Sequence, residues 1–207
     1  MNDTATFSIF PLFPSTIVGT VLKEDLSGLS AVRDFEYIPL NSDESQEAYK
    51  TKDNQILKRF PKERSIILDY FNRFATDVLK LTNSFAISSS WATRIEHNGF
   101  SQYHDHRNAA YSAVLYLDDV GGGGEIQFQN PNPSTVFLLN PEEWNTFNYE
   151  VYHITPSKDL LLFFPSYLSH RINRYKGKEP RYSIAVNFVP VGEFGRGDST
   201  VNYQLLE

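Results

Sequence analysis

No cysteine occurs in this chain, methionine occurs once, and no apolar run is long enough to cross a bilayer as a helix. The missing thiols exclude disulfides and thiolate ligands, so a bound metal must be held by histidine, aspartate or glutamate. Their absence does not by itself identify a compartment. Positive charge is also short: 19 lysines and arginines against 25 aspartates and glutamates leave a formal net charge of -6, with a pI near 5.4. General electrostatic binding to nucleic acid or an anionic membrane is therefore not expected. The opening Met1-Asn2-Asp3-Thr4-Ala5-Thr6 has no basic stretch leading into an apolar run, which argues against a secretory leader. A soluble cytoplasmic protein is the expectation. Internal repeats and low-complexity tracts are absent. The run Gly121–Gly124 lacks the Lys and Ser/Thr that follow in a phosphate loop, and reads as a flexible turn between strands.

What the chain does have is 41% hydrophobic and 14% aromatic content over 207 residues, enough for one well-buried core. No shift in composition divides it, so residues 1–207 are expected to form a single domain. Within it we expect a core over about 84–190, N-terminal strands and a supporting helix over about 7–81, and a tail over 191–207. Phe7 to Val21 reads as one or two strands, whereas Lys23 to Lys58 is polar and carries no clear pattern. From Pro61 to Leu81 the residues Ile66, Ile67, Tyr70, Phe71, Phe74, Val78 and Leu81 recur at helical spacing, predicting an amphipathic helix with Pro61 in its first turn. Short apolar segments follow at Ser112–Leu117, Glu125–Phe128, Asp159–Ser166 and Arg181–Phe188, separated by turns. That rhythm predicts an all-β barrel or sandwich.

Against this background the order His104-Asp105-His106, then His170, then Arg181 eleven residues later, is the most informative pattern. Side chains alternate faces along a strand, so an extended His104 and His106 point the same way and Asp105 points opposite. A third imidazole from a distant strand would complete a facial set of protein ligands, leaving the other face of an octahedral metal free for substrate and oxygen. Two of five histidines fall two apart by chance often enough that the neighbouring strands and Arg181 are what make the pair informative. His97 and His153 lack partner spacing and read as surface or hydrogen-bonded histidines, with His97 near enough in sequence to line an entrance. Trp91 reads as a core aromatic rather than a stacking platform. Glu142-Glu143 reads as a solvated pair. The segment Asn130–Tyr149, with Pro131, Pro133, Pro141 and Trp144, is either a substrate-facing lid or a plain surface excursion. The tail, with Gly192, Gly195 and Gly197, is expected to be mobile or to pack at an oligomer contact.

Further motifs give the chain a family likeness. Leu12-Phe-Pro-Ser15, Ser90-Trp91, Gly99, the His-x-His pair, the strand Ser112-Ala-Val-Leu-Tyr-Leu117, Phe164-Pro-Ser166 with His170 four residues on, and Arg181-Tyr-Ser183 ending in Asn187 occur in that order. In these the chain resembles the iron(II)- and 2-oxoglutarate-dependent oxygenases, and within them a subgroup of uncharacterised bacterial and phage members. The likeness is strong from Ser84 to Pro190 and sparse from Val21 to Lys58. It implies a mainly β fold, a double-stranded β-helix (jelly-roll, cupin-like) core with flanking α-helices. It implies a dioxygenase that uses iron(II), 2-oxoglutarate and dioxygen to hydroxylate a second substrate, releasing succinate and carbon dioxide. His104 and His170 would bind iron, with His106 as the second ligand of the set. Arg181 would pair with the distal carboxylate of 2-oxoglutarate, with the hydroxyls of Ser183 and Tyr116 beside it. A guanidinium suits that task because its rigid donor fork matches a carboxylate in two hydrogen bonds. The substrate class stays open among prolyl peptides, free amino acids, nucleobases and small metabolites, with Arg94, Gln102, Arg107 and Asn108 as candidate contacts. A phage-encoded member would act in the host cytoplasm, and the sequence gives no oligomeric state.

The chain departs from the family pattern at His106, where most members carry Asp or Glu, and at Arg107, Ala113 and Lys158-Asp159. Three neutral imidazoles compensate the metal charge less than a carboxylate would, which strengthens attraction for a dianionic cosubstrate. Asp105 is a rival ligand if a bulge re-aims the strand. Two other classes stand beside the oxygenase. A three-histidine cupin-type dioxygenase would bind its substrate at iron without 2-oxoglutarate and would not require Arg181 and Ser183. A non-catalytic jelly-roll binding module would need no histidine cluster.

Overall fold

The computed structural model describes residues 8, 13–40, 47–119, 121–132, 137 and 139–205. Eleven strands run in chain order through β1 (Val18–Val21), β2 (Tyr37–Pro39), β3 (Ala48–Thr51), β4 (Ser84–Ile95), β5 (Tyr111–Tyr116) and β6 (Ile126–Gln129). They continue with β7 (Val151–Ile154), β8 (Leu160–Pro165), β9 (His170–Ile172), β10 (Arg181–Phe194) and β11 (Val201–Tyr203). The larger sheet has the order β1-β8-β5-β10-β4-β3-β2, with β11 hairpinned onto the far end of β10, and the smaller has the order β7-β6-β9. Every pairing between these strands is antiparallel.

Period-two alternation sends each central strand of the larger sheet into two different interiors. On β10, Ile184, Val186 and Phe188 enter an aromatic core on one face, while Arg181, Ser183 and Ala185 line a cavity on the other. On β8, Leu161 and Phe163 join that same core, and Leu162 and Phe164 pack between the sheets against Ile126 and Phe128 of β6. The two sheets therefore face each other across a second apolar layer, the double-stranded β-helix expected from the sequence.

A single α-helix is present among the described residues, α1 (Pro61–Arg73), opened by Pro61 where the amide has no partner to lose. It closes the outer face of the larger sheet: Phe71 is fully buried and its ring stacks on that of Phe188 at 3.9 Å between centroids. The helix is shorter than the apolar spacing predicts. After Arg73 it widens into a π-type turn over Phe74–Val78, which keeps Phe74 buried but leaves Val78 50% exposed. No helix among the described residues is long and apolar enough to cross a membrane.

Two terminal expectations change. Of the N-terminal strands only Val18–Val21 is seen, and residues 7 and 9–12 lie outside the described residues. The tail beyond Val191 is an ordered hairpin rather than a loose end, since Gly192, Glu193 and Phe194 pair with Tyr203, Asn202 and Val201. Among its described residues, the polar stretch from Lys23 onward holds β2, β3 and the 3-10 segments Ser27–Asp34 and Ile56–Arg59. Their Leu29, Val32, Ile56 and Leu57 are fully buried.

Candidate metal centre

The three histidines meet, but not by the route the alternation argument supposes. His104 and His106 lie in a connecting segment between β4 and β5, outside any named strand, with His104 in an isolated bridge to His170 at the start of β9. Backbone amides lay this segment down: His104 donates to the carbonyl of His170 at 3.0 Å, and His106 to that of Ser166 at 2.9 Å. The imidazoles then converge, with ligating atoms of all three within 4.8 Å of one another. Asp105 turns away and its carboxylate accepts from the Arg107 guanidinium at 3.0 and 3.2 Å. No bulge aims it inward. The bulge that does occur is on β4 opposite Asn187 and Phe188, where Ser88 is the extra residue.

Each ring is held at Nδ1 by an oxygen, which leaves Nε2 as the free ligand atom. The Nδ1–H of His104 donates to the carbonyl of Gln102 at 2.9 Å, that of His170 to the carbonyl of Leu168 at 2.8 Å, and that of His106 to Asn187 Oδ1 at 2.7 Å. Asn187 is itself fixed. Its Oδ1 also accepts from Ser112 at 2.8 Å, its amide donates to Ser89 at 3.1 Å, and Ser112 pairs with the fully buried Ser166 at 2.8 Å. Burial pushes the His170 imidazole down to about 3, with His104 adding to the effect. Burial lowers His106 as well, against the opposing pull of its bond to Asn187. Both rings are thus neutral and ready to donate a lone pair at neutral pH.

Strand register arranges the rest of the inner face in rows about 7 Å apart, two residues per step. From one end these are Arg181 with Ile95 and Ala48; Tyr116, Ser183, Thr93 and Lys50; Val114, Ala185 and Trp91; and Ser112, Asn187 and Ser89. The last row carries the relay behind His106. The first carries Arg181, which is 1% exposed and lies between the rings of Tyr116 and Tyr175, each centroid 5.4 Å from Cζ. Its Nη1 donates to the carbonyl of Gly124 at 2.6 Å, while its Nε is buried without a partner. Burial lowers the Arg181 pKa, and no carboxylate forms an ion pair with it among the described residues. Tyr116 is pushed up to about 12 by burial, so its hydroxyl remains a donor. Ser183 pairs with Thr93 at 2.6 Å. A cavity of 430 Å³ runs from this end to the histidines and includes Tyr116, Arg181 and Ser183 in its lining. That volume lies within the usual range for a small-molecule site.

Several residues take places the sequence did not suggest. Trp91 is no core aromatic: it lines the cavity with its ring 5.4 Å from that of His106. Of the four candidate substrate contacts only Gln102 lines the cavity, while Arg94 pairs with Glu96 and Arg107 with Asp105. His97 bonds to the carbonyl of Gly177 and His153 to Gln127 and Asn173, so both are hydrogen-bonded histidines as expected, and neither lines the cavity. No described residue of 130–149 lines it either, so the lid is not brought to the site, and Pro133 lies outside the described residues. Gly124, passed over as part of a flexible turn, has φ +71°, and a Cβ there would sit 2.8 Å from Arg181 Nη1. Its signal in the sequence was only a glycine at the mouth of a strand.

A β-helix with three inward imidazoles at one end and a buried guanidinium at the other has the cupin-like architecture, with a cluster that could hold a metal ion. Residues 89–187 match the family model described as "Putative 2OG-Fe(II) oxygenase", a stretch that contains all six candidate site residues. Over that stretch, just under half of the chain, the sequence is similar to the 2OG-Fe(II) oxygenase family. The chain is similar in structure to a Pseudomonas putida prolyl-4-hydroxylase, at 17% identity and a TM-score of 0.60 over 86% of this chain and 94% of that one. It is also similar to HygX from Streptomyces hygroscopicus with nickel and 2-oxoglutarate bound, at 12% identity and 0.60 over 85% and 83%. The epimerase SnoN from nogalamycin biosynthesis matches at 14% identity and 0.63 over 86% and 80%. At these identities the likeness is one of fold. No curated protein matches the sequence.

Proposed function

We propose that this protein is a hydroxylase in which His104, His106 and His170 hold iron(II), and Arg181, Ser183 and Tyr116 hold the distal carboxylate of 2-oxoglutarate. The observation that carries the reading is the buried Arg181: a cation with an orphaned Nε and no carboxylate partner, facing a cavity that ends at three free imidazole nitrogens. A buried charge left unpaired is strongly destabilising, so the site calls for a resident anion. The donor set also fits the metal, since imidazole suits iron as well as zinc, nickel and copper.

Iron(II), with 2-oxoglutarate and dioxygen, supplies the oxidising power that side chains lack. The residues bind and orient. Arg181 fixes one end of the cosubstrate through its two-pronged fork, and the neutral Tyr116 hydroxyl donates beside it. The Gln102, Leu168 and Asn187 oxygens hold the three rings in the tautomer that exposes Nε2. Phe164 and Phe128 pack against His170 at 4.8 and 5.9 Å between centroids, keeping that side dry. Substrate enters on the Trp91 side, where an aromatic face stands next to His106. A small molecule or a prolyl peptide in the cytoplasm is the substrate class we carry forward, as prolyl-4-hydroxylase is among the similar structures. A three-histidine dioxygenase without 2-oxoglutarate would have no use for the buried guanidinium. Anaerobic titration of the iron-loaded protein with 2-oxoglutarate tests the proposal. A visible charge-transfer band that saturates stoichiometrically is expected, and no band in a protein with full iron content would overturn it.

A further inference from the structure

The cavity lining contains a second cation besides Arg181, Lys50. Lys50 on β3 pairs in register with Thr93, whose hydroxyl is committed to Ser183, so Lys50 shares the inner face with the cosubstrate end but stands two strands away from β10. It lines the cavity, half-buried, beside Leu40 and Trp91. Other cations close by are paired: Arg94 with Glu96, Arg33 with Asp118, Lys52 with Glu36. Lys50 has neither an ion pair nor a hydrogen bond from its ammonium among the described residues. No aspartate or glutamate among the described residues lines the cavity.

Charge counting shows what such a cavity prefers. A divalent metal on three neutral imidazoles, with Arg181 and Lys50, brings four positive charges, and dianionic 2-oxoglutarate brings two negative. Two positive charges remain, one more than if His106 were a carboxylate. In a partly closed cavity this imbalance is weakly screened. Resting on the oxygenase reading above, we propose that Lys50 is a recognition site for an anionic group, a carboxylate or phosphate, on the substrate to be oxidised. The rows give the geometry of that substrate. Its anion docks at the Lys50 row, and its carbon skeleton lies along Leu40 and Trp91. The Trp91 row is about 7 Å nearer the histidines than the Lys50 row. Neutral analogues are disfavoured because they leave the ammonium desolvated without a partner.

Iron-loaded protein saturated with 2-oxoglutarate under anaerobic conditions is titrated with phenylacetate, phenylacetamide, phenyl phosphate and phenol, following the charge-transfer band and tryptophan fluorescence. Each anion should bind about ten-fold or more tightly than its neutral counterpart. Lys50→Met should remove that preference and Lys50→Arg should keep it, both with the 2-oxoglutarate dissociation constant and the melting temperature unchanged. The larger loss in Lys50→Met, between phenylacetate and phenyl phosphate, distinguishes a carboxylate site from a phosphate site. Equal binding of anion and neutral analogue by the unmodified protein would overturn the proposal. So would a Lys50→Met variant that binds 2-oxoglutarate about ten-fold more weakly with its anion preference intact, since Lys50 would then serve the cosubstrate. Failure of the oxygenase reading is distinguishable, because it removes the charge-transfer band before any probe is added.

Discussion

Replacing Asn187 by leucine tests whether the polar relay behind His106 positions a metal ligand. The side chains are close in size, and what disappears is one oxygen that accepts from both His106 Nδ1–H and Ser112 Oγ–H, together with the amide donor to Ser89. Ser112 can turn its proton to Ser166, already 2.8 Å away. His106 Nδ1 keeps only the longer contact to Ser112 Oγ at 3.4 Å, too long for a good hydrogen bond, so its ring is freer to rotate and to place its proton on Nε2. A buried donor left without a partner costs about 1 to 3 kcal/mol. Loss of a hydrogen bond behind a metal-binding histidine typically weakens the metal by about 10- to 100-fold, equivalent to about 1.4 to 2.7 kcal/mol. The two figures agree, so a cobalt(II) or manganese(II) dissociation constant measured against a chromophoric chelator should rise by that factor. Asn187→Asp retains the acceptor and adds charge, and should bind metal at least as tightly as the unmodified protein. An Asn187→Leu protein that melts cooperatively and binds metal with unchanged affinity would refute the reasoning, as His106 would then need no support or would not be a ligand.

Arg181→Ala should weaken 2-oxoglutarate by roughly thirty-fold or more without changing metal content, because truncating one partner of a buried charge pair costs about 2 to 5 kcal/mol. Isothermal titration of the metal-loaded variant checks this, and Arg181→Lys should recover only part of the loss. Gly124→Ala should act on the same constant from outside the cavity, since its Cβ would push on Arg181 Nη1 from 2.8 Å at a backbone with φ +71°; wild-type affinity would count against the close approach. The metal-free protein should lose stability as pH falls from about 6.5 toward 3, the unfolded chain taking up a proton that buried His170 refuses until about 3. The stabilising contribution of that neutral ring is fully present above about pH 6.5. Denaturant melts across this window should show His170→Ala with a flatter acid limb.

Local pattern carried much of the site to the surface of the sequence. Arg181 and Ser183 needed only the period of two, and their shared face is what β10 presents to the cavity. The histidine triad was legible as composition and spacing, although the reason given for His104 and His106 facing one way was a strand that does not exist there. Backbone bonds to His170 and Ser166 do that work, and such long-range bonds leave no local signature. Asn187 was visible as the end of a motif but had no role until register placed it between Ser112 and Ser89. Trp91 was read as core because an aromatic at a strand start usually is. Period alone cannot say which face of a two-sided sheet is apolar interior and which is cavity. Leu29, Val32, Ile56 and Leu57 were missed for another reason: 3-10 segments of eight and four residues are too short to show a periodicity.

One strand serves both ends of the cavity. Arg181, Ser183, Ala185 and Asn187 alternate with Ile184, Val186 and Phe188, so the residues of the candidate site are kept in register by the residues locked under α1. Slipping β10 by one position would put Phe188 and Val186 into the cavity and bury Arg181 and Asn187 in the aromatic core, an exchange that costs far more than any single contact in the site. The stack of Phe71 on Phe188 thus bears on the site as well as on stability. Ala185 is the small residue midway along, between Val114 and Trp91, and its size leaves the space through which the two ends of the cavity communicate. The bulge at Ser88 falls at the last inward row, where Ser89 must turn to meet the Asn187 amide, so the one irregularity between β4 and β10 sits where the relay to His106 needs it.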